Sequence, residues 1–264
     1  MKIGFIGCGN MGGALARAVL KNKETKVYIS DYIAEKAEAF AKETGALATD
    51  NITIAKSCDF IFLAVKPANF PSTLEPLRES FKENADSVIV TIAAGLSLEK
   101  VGSMIGESHP IIRIMPNTPV LLGKGMITWC KNELVSEEKC SQFKRILAHA
   151  GRLDEIDEKL IDAASAVAGC GPAFVYMFIE ALSDGAVECG LPRDKAMTYA
   201  AETLVGAAEM VLKTGKHPGL LKDEVCSPGG STIEGVKALE DGKFRADTAS
   251  AVIAAYEKTK KLGQ

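Results

Sequence analysis

Residues 2–12 read Lys-Ile-Gly-Phe-Ile-Gly-Cys-Gly-Asn-Met-Gly, a short apolar run that leads into a G-x-G-x-x-G motif. In this motif Gly7 makes a tight turn, Gly9 lets a pyrophosphate approach the backbone, and Gly12 lets the next helix pack closely on the strand. A helical pattern follows, and a strand-like run at 26–30 completes a βαβ unit. This context predicts a dinucleotide site; the alternative is a glycine-rich turn that binds no ligand.

An acidic residue, Asp31, follows the second predicted strand, about 20 residues beyond Gly12. A carboxylate at this place accepts hydrogen bonds from the adenosine ribose, which favours NAD. Ser30 beside it and Lys36 in the next helix could instead receive the 2′-phosphate of NADP, which a carboxylate alone would repel. The sequence leaves the choice between NADPH and NADH open.

Strand-like apolar runs recur along the first half of the chain and alternate with helical patterns such as 34–43 and 70–81. The runs lie at 2–6, 26–30, 60–65, 88–92 and 111–114. Such alternation is typical of a parallel, doubly wound sheet. A further strand at 125–130 and a closing helix at 136–150 extend the pattern. We predict an α/β fold with an N-terminal, Rossmann-like dinucleotide-binding domain at residues 1–156.

Long helical patterns replace the strand signals in the rest of the chain. They lie at 158–168, 172–189, 192–213 and 246–261. Pro172 suits the first position of a helix. The helix faces are rich in Ala and Gly, and a helical domain this small often buries its apolar stripe against a second copy. We therefore predict an all-helical C-terminal dimerisation domain at residues 157–264 and at least a homodimer.

Composition excludes several classes of function. The formal net charge of −3 argues against a nucleic-acid surface, and the 47% of hydrophobic residues suit sizeable cores. The longest clear apolar run, at 60–65, is much shorter than a membrane span. The first predicted strand follows Met1 directly and leaves no room for a signal or transit peptide, so a cytoplasmic location is expected.

Cysteine and histidine positions give no sign of a metal site or of a disulfide framework. The seven cysteines form no C-x-x-C pair, and the three histidines stand in no ligand spacing. We expect reduced thiols and no metal. Glu180 and Asp184, four residues apart on a predicted helix, could act as acid and base. A solvated helix face is the favoured interpretation, because nothing nearby would shift their pKa values.

A second glycine turn, Ser-Pro-Gly-Gly-Ser-Thr at residues 227–232, precedes an amphipathic run. Gly229 and Gly230 let the backbone turn before a helix that begins near Thr232. The first N–H groups of a helix have no intrahelical partner, so a carboxylate or phosphate could bind against residues 230–232. The alternative is that Ser231 or Thr232 is only the N-cap of a surface helix.

Three more loops are expected at the carboxyl ends of sheet strands, where an open α/β sheet binds ligands. They span residues 64–67, 93–95 and 115–119. Gly95 permits a close approach of the backbone, and Lys66 and Asn117 offer donors toward a nicotinamide. Each loop alone reads as an ordinary strand-to-helix turn, but three in register with the glycine motif favour a cofactor cleft.

Together these motifs resemble the pyrroline-5-carboxylate reductases, which make L-proline by reducing a cyclic imine. The resemblance covers nearly the whole chain. It rests on the opening motif, on 62–67 and 115–119, on Gly-Cys-Gly-Pro-Ala at 169–173, and above all on Val-Cys-Ser-Pro-Gly-Gly-Ser-Thr at 225–232. The last segment is highly specific.

The resemblance implies contacts for both the cofactor and the substrate. Ser231 and Thr232 would help to hold the substrate. The resemblance also implies a dimer, which is often assembled further into a decamer. In such a dimer the Thr232 loop of one subunit would complete the cofactor cleft of the other. The cofactor contacts implied are Gly7, Cys8, Gly9, Asn10, Met11, Gly12, Ser30 or Asp31, Asn51, Ala64, Val65, Lys66, Pro67, Ala93, Ala94 and Gly95.

Two positions depart from the family pattern. Asp31 stands where many relatives have a smaller or phosphate-accepting residue, which puts the usual NADPH preference in doubt. Ser231 stands where many relatives have Thr, and it keeps the hydroxyl.

The implied chemistry is hydride transfer from NADPH or NADH to the C=N carbon of 1-pyrroline-5-carboxylate. A cyclic imine is readily protonated and its cation attracts hydride, so positioning would supply most of the rate. We expect the substrate carboxylate to bind the N–H groups at 230–232 and the catalytic Thr232 hydroxyl to contact the ring nitrogen.

Two alternatives remain. A hydroxyacid-dehydrogenase-like enzyme acting on another imine or alcohol would normally carry a Lys that residues 169–176 lack. A regulatory, non-enzymatic dinucleotide-binding protein would be expected to lose the 227–232 turn, which this chain keeps.

Overall fold

The computed structural model describes residues 1–106 and 108–262. The chain forms two compact units. The first, an α/β unit, comprises Met1–Cys170 together with the end of the chain from Ala255, and the second, a helical unit, comprises Gly171–Ala254. The predicted division between residues 156 and 157 stays a prediction.

Eight strands and thirteen α-helices make up the described regular structure, together with short 3-10 and π-helical turns. The strands are β1 Lys2–Ile6, β2 Lys26–Ser30, β3 Leu47–Ala48, β4 Phe60–Leu63, β5 Val88–Thr91, β6 Ile111–Met115, β7 Gly125–Lys131 and β8 Gly151–Glu155. The helices are α1 Asn10–Leu20, α2 Ala34–Thr44, α3 Asn51–Ser57, α4 Phe70–Leu74, α5 Arg78–Glu83, α6 Leu98–Ile105, α7 Glu137–Ile146, α8 Ile161–Ala164, α9 Gly171–Glu188, α10 Arg193–Thr214, α11 Pro218–Val225, α12 Ser231–Asp241 and α13 Phe244–Leu262.

The strands form one sheet in the order β3-β2-β1-β4-β5-β6-β7-β8. All neighbours are parallel except β6 and β7, which pair antiparallel. The predicted parallel arrangement is confirmed for β1, β2, β4, β5 and β6, and the further strand expected at 125–130, β7, joins the sheet antiparallel. A parallel return needs a crossover of about a dozen residues or more. The chain between Met115 and Gly125 contains only a short 3-10 turn, so it returns in the opposite direction.

Both faces of the sheet are covered by helices, so the predicted doubly wound arrangement is confirmed. On one face, α1, α2 and α7 pack against a core in which the rings of Phe5 and Phe62 stack with centroids 4.5 Å apart. On the other face, α3 to α6 pack against a second core around Ile61 and Ile89. The apolar strand runs are buried on both sides, as parallel strands inside an α/β sheet require.

Several predicted elements differ in detail from the structure. The predicted helix at 70–81 is split into α4, a 3-10 turn with Pro76 near its start, and α5. Proline removes a backbone donor and clashes with the preceding turn, which explains the break. Two strands were missed. β3 has only two residues, and the edge strand β8 carries the polar sequence Gly-Arg-Leu-Asp-Glu with no buried position.

The helical unit buries very little within one chain. Of residues 171–254, all of which the structure describes, only Ser183, Ala196 and Ala200 are buried. Large apolar side chains such as Met177 and Leu212 are 68% and 72% exposed. A helical unit of this size cannot be stable without a larger apolar core. These helices therefore need a further apolar surface to cover them.

The helical stretch Glu158–Glu188 includes an 18-residue window with a mean hydropathy of 1.4, of which 11% is buried. By length and composition alone this stretch could cross a membrane. An interface helix has the same two properties, and one such helix is weak support for a membrane span. This stretch contains no long uninterrupted apolar run, because Gly, Ser and Ala interleave the apolar residues, so the sequence pattern alone does not mark it.

The turn between β1 and α1 is shaped by close contacts at two of its three motif glycines. Gly7 has a φ of 103°, a conformation that side chains disfavour. A Cβ on Gly12 would overlap the carbonyl oxygen of Gly7 and lie 2.8 Å from the Cβ of Ala64. A Cβ on Gly9 would meet no atom within 4 Å. Gly7 and Gly12 thus serve packing, whereas Gly9 leaves open space.

We predict that Gly12→Ala lowers the free energy of unfolding by about 1–3 kcal/mol, because the added methyl overpacks a site bounded by backbone. Gly9→Ala is the matched control and should cost less than about 1 kcal/mol, the range of an unfavourable N-cap residue. Urea unfolding at one fixed protein concentration measures both. Equal midpoints for the two variants would contradict the packing role of Gly12.

Candidate active site

A cavity of about 810 Å³ opens in the α/β unit beside the carboxyl ends of β1, β2 and β4. The structure places five of the predicted cofactor residues in its lining: Gly7, Ser30, Asp31, Asn51 and Val65. Other lining residues were not predicted from the sequence, among them Tyr32, Glu38, Thr49 and Asp50. The sequence does indicate a role for Asp50, because an Asp just before an amphipathic run is a common N-cap. Asp50 caps α3 by accepting a hydrogen bond from the Thr53 N–H at 2.7 Å.

Asp31 joins the glycine turn to the end of β2. Its Oδ2 atom accepts from the Cys8 backbone N–H at 2.9 Å and from the Cys8 thiol at 3.3 Å. Its Oδ1 atom accepts from the Ile33 N–H at 3.1 Å. Three donors from two segments therefore fix the carboxylate in the lining of the cavity.

These contacts shift the pKa values of both side chains. Partial burial acts to raise the pKa of Asp31, but the hydrogen bonds from Cys8 and Ile33 outweigh it, and the pKa lies below its usual value. Burial, followed by the hydrogen bond to Asp31, raises the pKa of the Cys8 thiol to about 11. At neutral pH the carboxylate is thus charged. The thiol stays protonated and donates a hydrogen bond to the carboxylate.

Ser30 is engaged inside the fold. Ser30 is 2% exposed, and its hydroxyl donates to Oδ1 of Asn51 at 2.6 Å. Asn51 is the first residue of α3 and lines the cavity. The structure thus brings Ser30 and Asn51 together, and the Ser30 hydroxyl proton is already used.

The N-terminus of α1 fits a pyrophosphate. Its N-cap is Gly9, no side chain caps it, and its first turn carries no acidic residue. The N–H groups of the first helical turn have no intrahelical acceptor and carry the positive end of the helix dipole. With open space at Gly9, this turn forms a cradle for the diphosphate of a dinucleotide.

The remaining predicted cofactor residues lie at the carboxyl ends of neighbouring strands. Ala64 follows β4 and packs against Gly7 and Gly12, and Lys66 is exposed at the start of a 3-10 turn that opens with Pro67. Ala93 and Ala94 follow β5 and precede Gly95, whose φ is 77°. The cavity lining does not include this group: Cys8, Gly9, Asn10, Met11, Gly12, Ala64, Lys66, Pro67, Ala93, Ala94 and Gly95.

Asn117 uses its side chain within the fold. Its Nδ2 donates to the carbonyl of Ala168 at 2.9 Å, and its Oδ1 accepts from the N–H of Met126 at 2.9 Å. The residue is 8% exposed. We expected this amide to offer a donor toward a nicotinamide. The amide instead hydrogen-bonds Ala168 and Met126, and so joins the end of β6 to two neighbouring segments. A cofactor contact by Asn117 stays a prediction.

A buried cation that the sequence analysis did not identify lies on β6. Arg113 is 3% exposed and pairs with Asp162 at 2.6 Å and with Glu158 at 3.3 Å. Glu158 also accepts from the N–H of Leu98 at 2.7 Å, at the start of α6. The network joins β6, α6 and α8. Its only sequence signal is one Arg within an otherwise apolar strand.

The second glycine turn lies in the helical unit, before α12. Gly229 has a φ of 68°, and Gly230 is the N-cap, with no side-chain hydrogen bond. Ser231 and Thr232 are the first two helical residues, and both are exposed. The alternative that one of them is the N-cap is therefore wrong. The helix start presents uncapped N–H groups beside two unused hydroxyls.

The paired carboxylates of α9 fit the solvated helix face that we favoured. Asp184 forms an ion pair with Arg193, and both Asp184 and Glu180 are exposed. Surface ion pairs of this kind contribute little to stability.

All seven cysteines are free thiols.

Two known families match separate parts of the chain. Residues 158–262 match the family described as pyrroline-5-carboxylate reductase dimerisation. Residues 2–95 match the family described as NADP oxidoreductase coenzyme F420-dependent. The dimerisation match covers the helical stretch with the exposed apolar residues and includes the turn before α12.

Individual relatives match over their whole length. The pyrroline-5-carboxylate reductase of Escherichia coli (strain K12) is 40% identical over 100% of this chain and 98% of its own length, and that of Arabidopsis thaliana is 36% identical over 100% and 96%. A crystal structure of pyrroline carboxylate reductase from Plasmodium falciparum with NADP bound superposes with a TM-score of 0.91 at 35% identity, covering 100% of this chain and 98% of that one. The resemblance seen in the motifs is confirmed, and the chain belongs to the pyrroline-5-carboxylate reductase family.

Proposed function

We propose that this chain is an NAD(P)H-dependent oxidoreductase that reduces the C=N bond of 1-pyrroline-5-carboxylate and forms L-proline, the last step of proline biosynthesis. The observation that carries the proposal is the full-length match to reductases of this name, over 98% of the Escherichia coli protein. The glycine turn before α1 and the uncapped turn before α12 support it, because each can bind one of the two reactants.

The α/β unit would hold the cofactor through the N–H groups at the start of α1 and through the cavity beside β2. The reduced nicotinamide supplies a hydride to the C=N carbon. The strand-end loops at 64–67 and 93–95 are proposed to position it. Their backbone turns, fixed by Pro67 and by the positive φ of Gly95, hold the chain close to the end of the sheet.

The turn before α12 is proposed to hold the substrate. A carboxylate fits the uncapped N–H groups after Gly230, where the helix dipole favours an anion. The hydroxyls of Ser231 and Thr232 flank that place, and Thr232 is proposed to contact the ring nitrogen. The reaction needs no strong acid from this chain, because the cyclic imine is readily protonated before the hydride arrives. The residues of the turn would mainly orient the substrate.

The chain is a homo-oligomer of at least two copies, since the helical unit cannot bury its own apolar faces. We propose a dimer in which the Thr232 turn of one subunit completes the cofactor cleft of the other, assembled further into a decamer. We also propose a cytoplasmic location, which the seven free thiols support.

Purified protein tests the activity directly. With 1-pyrroline-5-carboxylate and either NADPH or NADH, we expect loss of the reduced-nicotinamide absorbance together with stoichiometric L-proline. Cofactor binding without turnover would contradict the proposal and point to a regulatory dinucleotide-binding protein or to another imine.

Replacing Thr232 with Ala should lower kcat by roughly 10- to 100-fold, the loss expected for one hydrogen bond to a charged group. Thr232→Ser keeps the hydroxyl and should restore most of the rate. The dissociation constant of the reduced cofactor should be unchanged in both variants, because the Thr232 hydroxyl is proposed to contact the substrate ring nitrogen and not the cofactor. Unchanged turnover in Thr232→Ala would refute its catalytic role.

A Leu→Glu pair tests the apolar helical surface. Leu212→Glu on α10 should weaken dimerisation by tenfold or more, or about 1.4 kcal/mol, because it puts a charge into the interface. Leu122→Glu, in the α/β unit, is the matched control, since Leu122 is 80% exposed and its substitution should leave the dimer intact. Sedimentation across a concentration series measures both.

Turnover of the Leu212→Glu protein should fall with its dimer fraction while cofactor binding persists. A fully active Leu212→Glu monomer would contradict a cleft shared between subunits.

A further inference from the structure

We infer that the cavity beside β2 selects the dinucleotide with a free ribose 2′-hydroxyl, so that this chain prefers NADH to NADPH, and that Asp31 is the residue that determines the preference. The inference rests on the proposed function and specifies the cofactor of that same cleft. Its basis is the fixed position of one carboxylate and the charges around it.

Asp31 cannot turn away from a ligand in the cavity. Both of its oxygens already accept hydrogen bonds, from the backbone of Cys8 and of Ile33 and from the Cys8 thiol. A carboxylate that rotated out to avoid a phosphate would leave two backbone N–H groups without their partner. The negative charge is therefore a permanent part of the lining.

The rest of the lining adds no cation to offset that charge. Among the residues that line the cavity, all within the described part of the chain, Asp31, Glu38 and Asp50 are acidic and none is Lys, Arg or His. Lys36 lies near enough to lower the pKa of Asp31, but it is exposed on α2 and is not part of the lining. A dianionic 2′-phosphate would meet like charge on several sides.

The neutral groups beside Asp31 do not reverse this balance. The Ser30 hydroxyl donates to Asn51, and the Ile33 N–H at the start of α2 donates to Asp31 itself. The dipole of α2 adds a partial positive charge of only about half a unit at its N-terminus. The three carboxylates of the lining, Asp31, Glu38 and Asp50, outnumber this half charge and the one nearby cation, Lys36, so the net formal charge around this end of the cavity is negative.

A ribose hydroxyl suits the same place. The Asp31 Oδ1 atom accepts one hydrogen bond and has capacity for another, since each carboxylate oxygen offers about two acceptor sites. A 2′-hydroxyl can donate to it, whereas a phosphate ester at that oxygen has no proton to give at neutral pH. The carboxylate therefore attracts one cofactor and repels the other.

Equilibrium binding tests the inference without turnover. By isothermal titration calorimetry on the wild-type protein, NADH should bind at least tenfold more tightly than NADPH. Adenosine 5′-monophosphate should likewise bind at least tenfold more tightly than adenosine 2′,5′-bisphosphate. The fragment pair isolates the 2′-phosphate and needs no variant. Equal or tighter binding of the phosphorylated partner in either pair would overturn the inference.

Asp31→Asn removes the charge and keeps one side-chain oxygen for the Cys8 N–H. It should raise the ratio of the NADH dissociation constant to the NADPH dissociation constant by at least tenfold, mainly through tighter NADPH binding. The NADH-to-NADPH ratio of kcat/KM should fall by a similar factor. Glu35→Gln is the matched control, because Glu35 lies on α2 outside the lining. Both NADH-to-NADPH ratios of this variant should stay within twofold of the wild type. An unchanged ratio in Asp31→Asn would overturn the role of Asp31.

The outcomes separate this inference from the proposed function. Proline formation that runs better with NADPH would overturn the cofactor preference and leave the reductase activity standing. Binding of neither dinucleotide would overturn both.

Discussion

The helices of residues 171–254 have almost no core of their own, and the working form of the molecule depends on that constraint. Three buried residues, Ser183, Ala196 and Ala200, cannot hold α9 to α12 in place. The missing apolar contacts must come from a second copy. The turn before α12 has its own geometry within one chain, but its surroundings are set only when the helices are paired. If this turn holds the substrate, as proposed above, oligomerisation is a condition for a defined substrate site.

The α/β unit has the opposite character. Its sheet is buried on both faces, and the glycine turn is held by backbone contacts between Gly7, Gly12 and Ala64. A site of this kind needs no partner to keep its shape. With the sites proposed above, one reactant would bind in a preformed cleft and the other on a surface that assembly completes. This would explain why one chain combines a well-packed unit with a nearly coreless one.

Much of this fold could be predicted because its sequence signals are local. Continuous apolar runs marked the central strands, and the glycine spacing marked the turn before α1. The direction of β7 and the existence of β8 depend on tertiary pairing, and β8 has no buried position to reveal it. Both partners of Arg113, and Ala168 as one of the two partners of Asn117, lie 45 to 51 residues away, so no motif could show them.

Asp31 shows why the chemistry of a site is harder to read than its location. Its position after β2 was evident from the sequence, but its hydrogen bonds to Cys8 and Ile33 were not. The same carboxylate shapes the glycine turn and carries the charge, so a substitution that removes both the charge and the side-chain oxygens changes both properties. Loss of the charge through a small side chain would also leave the Cys8 N–H without its acceptor, at a cost of about 1–3 kcal/mol where water cannot reach it. A small residue at position 31 would therefore require another acceptor for the Cys8 N–H, whereas Asn at this position would remove the charge and keep an oxygen for that N–H.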